Sequence, residues 1–189
     1  MATSDRLWRV FRPIVAEGFE WIQPVRERDL HLLYDLDGTS RAAKWRPVSV
    51  RGLTRDDLGR PLLRADMPWL GGHAIVLDDR AREAVGAILG EAGEFLPLDP
   101  VDRDGGLWLF NACRIVDALD EASSELVRFP SSGRVMAVKR HVFRGGAVAG
   151  LAAFRVPQSR SLFLSGAVVD AIGRAELRGA AFDLAWRGE

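Results

Sequence analysis

At 189 residues the chain is long enough for one domain with its own core, or one domain carrying an N-terminal extension. Hydrophobic residues at 48% and charged residues at 28% exclude wholesale disorder. The 26 basic and 26 acidic residues cancel, so there is no global basic footprint for nucleic acid, and a single cysteine, Cys113, excludes an intramolecular disulfide and a multi-cysteine zinc site.

The opening segment carries no secretory signal pattern, because Arg6, Arg9, Arg12 and Glu17 interrupt every apolar run. No stretch approaches the roughly 18 apolar residues of a membrane span. The longest weakly polar stretch, 145–154, is short and rich in Gly and Ala. These features lead us to expect a soluble, cytoplasmic protein with no membrane partner, and the lone cysteine agrees with a reducing compartment.

In chain order, "LWRVF" (7–11) alternates apolar and basic residues and predicts a strand with one buried face. "DLHLLYDLDG" (29–38) also reads as a strand, which would put Asp35 and Asp37 on one face and end in a turn at Asp37-Gly38. "WRPVSVRGL" (45–53) predicts a third strand, placed at a sheet edge by Pro47. Residues 54–72 carry Gly59, Pro61, Pro68, Gly71 and Gly72 and read as a long loop or boundary. Trp69 within that loop is expected to pack back as a lid or to offer an exposed aromatic anchor. Residues 1–65 are thus expected to supply N-terminal strands packed on the same core, and 66–189 the main domain.

The next segment predicts strand 74–77, a cap at Asp78 or Asp79, and a helix at about 79–90 stopped by Gly90 or Gly93. An extended run at 95–98 follows. After a turn at Asp104-Gly105-Gly106 comes a strand with Leu107, Leu109, Asn111, Cys113 and Ile115 on one side. Residues 117–124 read as a polar loop, and 125–144 as two strands around Pro130-Ser131-Ser132-Gly133. "GGAVAG" (145–150) reads as a flexible turn. Strands at 151–156 and 161–165 flank Pro157, Ser165 caps a helix at about 166–176, and 179–186 closes the chain with Phe182, Leu184 and Trp186 on one face. The strand-cap-helix plan at 74–90 and 161–176 repeats once, as two junctions obeying the same capping physics or as a duplicated unit. Many strands with two principal helices give an α+β fold with a mostly antiparallel sheet.

Candidate chemistry is sparse. His31, His73 and His141 are too far apart in sequence to form a local zinc motif, and no metal or other cofactor is expected. Cys113 with His141 is a conceivable nucleophile pair, but mid-strand placement suits a small buried hydrophobe. Neither a nucleophile elbow nor a phosphate loop is present. Paired carboxylates occur at Asp35/Asp37, Asp56/Asp57, Asp78/Asp79 and Asp117/Asp120, without a visible environment to separate their pKa values. Asp117, Asp120 and Glu121 form an acidic cluster that reads as a solvated loop or as a patch complementary to a basic partner. Arg134, Lys139, Arg140, His141 and Arg144, with Phe143 interleaved, form an arginine-rich strand, with Arg140 and Arg144 on one face and Lys139 turned away.

The order and spacing from residue 66 resemble a family of bacterial polymorphic-toxin immunity proteins, the eleventh in the usual listing and formerly a domain of unknown function. The resemblance lies in "DMPWLGGHAIVLDDRAREAVGAIL", "GEFLPL", "LWLFNACRIVDALDEASSEL", "AAFRV" and "LFLSGAVVDAIGRAELRGAAFDLAW", over about residues 66–187. It implies a non-enzymatic, cytoplasmic antidote that binds a cognate toxin stoichiometrically and occludes or distorts its active site. No catalytic residue carries over. Trp69, Asp117, Asp120 and Glu121 are the candidate toxin contacts. Two other readings stand beside it: a small enzyme with an unrecognised site, and a nucleic-acid-associated regulator using 134–144, although nucleic acid is not the expected partner.

Overall fold

A computed structural model describes residues 8–188. The fold is α+β and mostly sheet. Strand β1 (Trp8–Ile14) realises the alternating N-terminal pattern; Leu7, where that pattern starts, lies outside the described residues. β2 (Trp21–Pro24) and β3 (Val48–Leu53) follow, then β4 (Ile75–Asp78), β5 (Gly93–Pro100) and β6 (Leu107–Ala112). The chain continues through β7 (Glu125–Arg128), β8 (Val135–Arg140), β9 (Ala153–Val156), β10 (Ser159–Ser165) and β11 (Ala181–Gly188). Four short helices are α1 (Leu30–Tyr34), α2 (Asp79–Leu89), α3 (Gly145–Val148) and α4 (Gly166–Arg174). Of these, α2 and α4 fall within the two spans expected to be helical.

The strands form three sheets. One is antiparallel, in the order β11-β1-β10-β9. The second runs β2-β3-β5-β6-β4, with one parallel pair, β3 with β5. The third is the hairpin β7-β8 alone. Alternation along the strands sends side chains to three cores. Leu96, Leu98, Leu107 and Leu109 face a core closed by Leu33, Leu36 and Val50. Phe110, Leu77, Leu162 and Leu164 face a second core, in which Val85 and Leu89 of α2 meet Val168 and Ile172 of α4. Phe154 and Phe163 face a third core with Val10, Leu119 and Phe143.

The two large sheets are tied together where β6 ends. Beyond Ala112 the chain leaves the five-stranded sheet and runs alongside β9: Arg155 N–H donates to Arg114 O, and Val116 N–H to Arg155 O. Cys113 and Ile115 are therefore not part of β6. Asp78 caps α2, its carboxylate accepting from Ala81 N–H at 2.8 Å. Ser165 occupies the equivalent position of α4 but makes no side-chain cap bond.

Several sequence expectations are corrected. Within 29–38, residues 30–34 are helical rather than extended and 35–38 are irregular: the helix turns Leu33 to the core while Leu30 and Tyr34 face solvent, and Leu36 reaches the same core from beyond the helix end. Asp35 and Asp37 accordingly do not share a strand face. Pro47 stands just ahead of β3, and β3 is flanked on both sides rather than at an edge. Residues 145–148 form the short helix α3, anchored by buried Val148. Gly93 is not a helix stop; it opens β5 opposite Ala112, where a side chain would strike the Asn111 carbonyl. A register shift in the β1–β11 ladder changes the facing of β11. Phe182 packs on the second core and Trp186 on the third, while Leu184 between them is exposed.

Candidate interaction surface

The acidic loop and the arginine-rich strand, two separate features in the sequence, form one assembly. Glu121 Oε2 accepts from Arg128 Nη2 at 2.6 Å, and Glu121 Oε1 from Gln158 at 2.8 Å. Asp117 pairs with Arg144 at 3.1 Å. Asp120 Oδ1 accepts from Ala122 N–H and Ser123 N–H, closing the loop on itself. Arg140 Nη2 donates to Ser123 O at 2.9 Å, and Lys139 lies 3.6 Å from Glu125. These bonds hold the carboxyl groups of Asp120 and Glu121 below their usual range: hydrogen bonds from Ser123 act on the first, and the Arg128 and Gln158 bonds on the second. The loop is thus a clasp at the foot of the hairpin. Arg144 lies beyond the end of β8, so the face it was expected to share with Arg140 does not exist.

The hairpin itself stands out from the body. No residue from 125 to 140 is buried, and only Leu126 and Val138, directly opposite each other, pack partly on the third core. Trp69 belongs elsewhere: it is half-buried beside β2, its N–H donating to Glu20 O and its carbonyl accepting from Ile22 N–H. With Pro13, Ile14 and Phe182 it lines a small recess. Trp69 thus lies beside β2, whereas the acidic loop lies at the foot of the β7-β8 hairpin.

The Immunity protein family (Imm11) matches residues 40–185, most of the chain. This chain belongs to that family. The match begins well before residue 66, so β3 and the 54–72 loop are part of the family unit. No curated protein matches the chain.

Within this immunity-family chain, two motif residues converge that sequence reading left without a role. Glu94 and Asn111 stand opposite each other on β5 and β6. The Glu94 carboxylate accepts from Ser40 Oγ (2.7 Å), Arg41 N–H (2.6 Å), Ala42 N–H (3.2 Å) and Asn111 Nδ2 (2.9 Å). Asn111 Nδ2 also donates to Thr39 O. Burial opposes the charge on Glu94, but these donors outweigh it and hold its carboxyl below the ordinary range. The pair fastens residues 39–42 to the sheet. The signal that could have revealed it is two polar residues inside otherwise apolar strand runs.

The nucleophile reading gains no support from geometry. Burial, then the charge of Glu94, pushes the Cys113 thiol up, away from thiolate. His141 sits among Phe143 and Phe163, its ring 5.7 and 5.2 Å from theirs, and burial pulls its pKa down to about 4. His31 is exposed and His73 is bonded to Leu33 O. Among the described residues no group of His, Cys, Asp and Glu side chains is arranged to hold a metal ion, and no helix is long and apolar enough to cross a membrane. A groove of about 590 Å³ lies between the α2 C-terminus and the α4 N-terminus and is lined by Trp8, Val10, Ile88, Leu151 and Phe154 with Arg9 and Arg114. Arg9 there is paired to Asp170 at 2.5 Å.

Proposed function

We propose that this protein is an immunity protein that neutralises a cognate bacterial toxin by binding it one-to-one, in the cytoplasm, without cofactor or catalytic step. The observation that carries the reading is the family match over residues 40–185. The site geometry supports it. Apart from exposed Asp57, the paired carboxylates and the histidines singled out above are bonded within the fold or buried among apolar groups, while the exposed features are those of a contact surface. A stable complex of this kind covers on the order of 1,600 Å². The exposed side of Trp69 and the outer carboxylate Asp117, with Asp120 and Glu121 behind it, are proposed as accessory contacts.

The test is co-purification with the toxin domain encoded beside this gene, together with rescue of cells expressing that domain. We expect a one-to-one complex and restored growth. Failure of both would remove the antidote reading.

A further inference from the structure

The hairpin β7-β8 combines three properties that no other part of the described chain shares. It projects, with no buried residue and no strand on either outer edge. It is predominantly basic: apart from Glu125 at its foot, residues 126–140 carry Arg128, Arg134, Lys139 and Arg140 and no acidic residue, in a chain whose net charge is zero. It also exposes large apolar side chains among those charges, Phe129 at 46% and Met136 at 54%. Leaving Phe and Met side chains in water forgoes their burial energy, which a free monomer has no use for. Aromatic residues, Met and Arg are the types enriched where proteins meet.

The arm is also held in place beforehand. Arg128 is fixed at both ends, to Glu121 and to Gly133 O at 2.9 Å, and Arg140 is fixed to Ser123 O. A two-stranded ribbon alone is marginal in water. Here the acidic loop supplies the missing support from one side and leaves the outward face, with Val127 and Ala137, open. Preorganisation of this kind lowers the ordering cost of association. It also argues against a phosphate backbone as the partner: Arg128, Lys139 and Arg140 are engaged at the foot, leaving Arg134 as the one guanidinium of the arm that makes no hydrogen bond or ion pair among the described residues.

We infer that the outward face and tip of the 125–140 hairpin form the toxin-contacting surface, and that the surface they meet is a protein face with an apolar recess that takes Phe129 and Met136 beside an acidic group that meets Arg134. This inference rests on the antidote reading above. Two variants test it. Phe129→Ser/Met136→Ser removes the apolar anchors, and Arg134→Glu reverses the free charge. Both alter exposed positions, so the melting temperature is expected to stay within about 2 °C of the parent.

Binding is measured against the neighbouring toxin domain by surface plasmon resonance at low and high salt, with hydrogen exchange of the parent protein free and in complex. The double variant is expected to raise Kd by at least ~100-fold. Arg134→Glu is expected to slow association by about 10-fold at low salt and far less at high salt. Amides 127–138 are expected to become protected in the complex. A parent protein that binds and rescues, with both variants binding equally well and 127–138 unprotected, overturns the hairpin assignment and leaves the antidote reading intact. A parent that neither binds nor rescues removes the antidote reading itself. Tight parent binding to a 20-base-pair DNA or RNA duplex, or dimerisation of the parent, lost in these same variants, would give the arm to a different partner and overturn the inference.

Discussion

His141 shows how one side chain can set the acid limit of this fold. It is 7% exposed, stacked on Phe143 and edge-on to Phe163, and burial, reinforced by the nearby Arg12 charge, lowers its pKa from 6.5 to about 4. The unfolded chain takes up a proton at this position near pH 6.5, and the folded chain does so only near pH 4. Folding stability is therefore fully present above pH 6.5 and falls as the pH drops through that window. The loss amounts to about 2–3 kcal/mol at pH 4. His73, also pulled down by burial, acts in the same direction. Glu94 adds its own loss only below its ordinary range near 4.5, because its folded pKa is depressed. Urea denaturation at pH 7 and pH 5 reads the difference. His141→Leu, apolar and of suitable size for an aromatic cage, is expected to flatten the pH dependence between 6.5 and 4.5 to the part that His73 contributes. An unchanged slope in that variant would show that the His141 proton is not responsible.

At the scale of elements, local pattern sufficed where one period dominated and failed where two fitted equally. Strand β4 and helix α2 follow directly from the apolar run 74–77, the Asp78 cap and the Ala81/Val85/Leu89 stripe. Residues 30–36 satisfy alternation through Leu30, Leu32, Tyr34 and Leu36, and helical spacing through Leu30, Leu33 and Leu36. Only the distant core decides between them: it takes Leu33 from the helix and Leu36 from the segment that follows it, and leaves Leu30 exposed. The candidate site was half legible for a similar reason. The acidic loop and the basic hairpin are both visible as charge runs, but their mutual neutralisation depends on a fold-back that brings Arg128 and Arg144 to Glu121 and Asp117. The Glu94–Asn111 pair needs the β5–β6 register before it means anything. That register is itself testable at Gly93. Its φ is not in the left-handed region, so the constraint is space alone: a Cβ would meet Asn111 O and Ala112 Cα. Gly93→Ala is expected to push the first β5–β6 pair apart and cost about 1–3 kcal/mol. Gly90→Ala three residues earlier, where the nearest obstacle is the Gly86 carbonyl at 3.2 Å, is expected to cost less. Equal melting temperatures for the two variants would contradict this packing.

Over the whole molecule, the first and last described strands and the middle of the chain are bound into the same layers, and this bears on whether residues 1–65 are an appendage. β1 lies between β10 and β11, so removing it strips the sheet partner from β11 and breaks the sheet in its interior. β3 supplies the parallel neighbour of β5, and Ile22, Leu33, Leu36, Val48 and Val50 cover the apolar face formed by Leu96, Leu98, Leu107 and Leu109. Electrostatics adds a further obstacle. Glu20, 2% exposed, sits 2.6 Å from Arg103, whose side chain is 4% exposed, and Glu20 also accepts from Ala65 N–H. Breaking a buried pair by removing one partner costs about 3–5 kcal/mol, and here the apolar cover would be lost with it. Since a domain of this size has only about 5–15 kcal/mol in total, a 66–189 fragment is expected to have no cooperative thermal transition and a collapsed, poorly dispersed NMR spectrum. The 8–189 chain is expected to melt in one step. Circular dichroism and one-dimensional NMR on both chains decide it, and a sharp transition in the fragment would mean that the N-terminal strands are an added lobe rather than part of the folding unit.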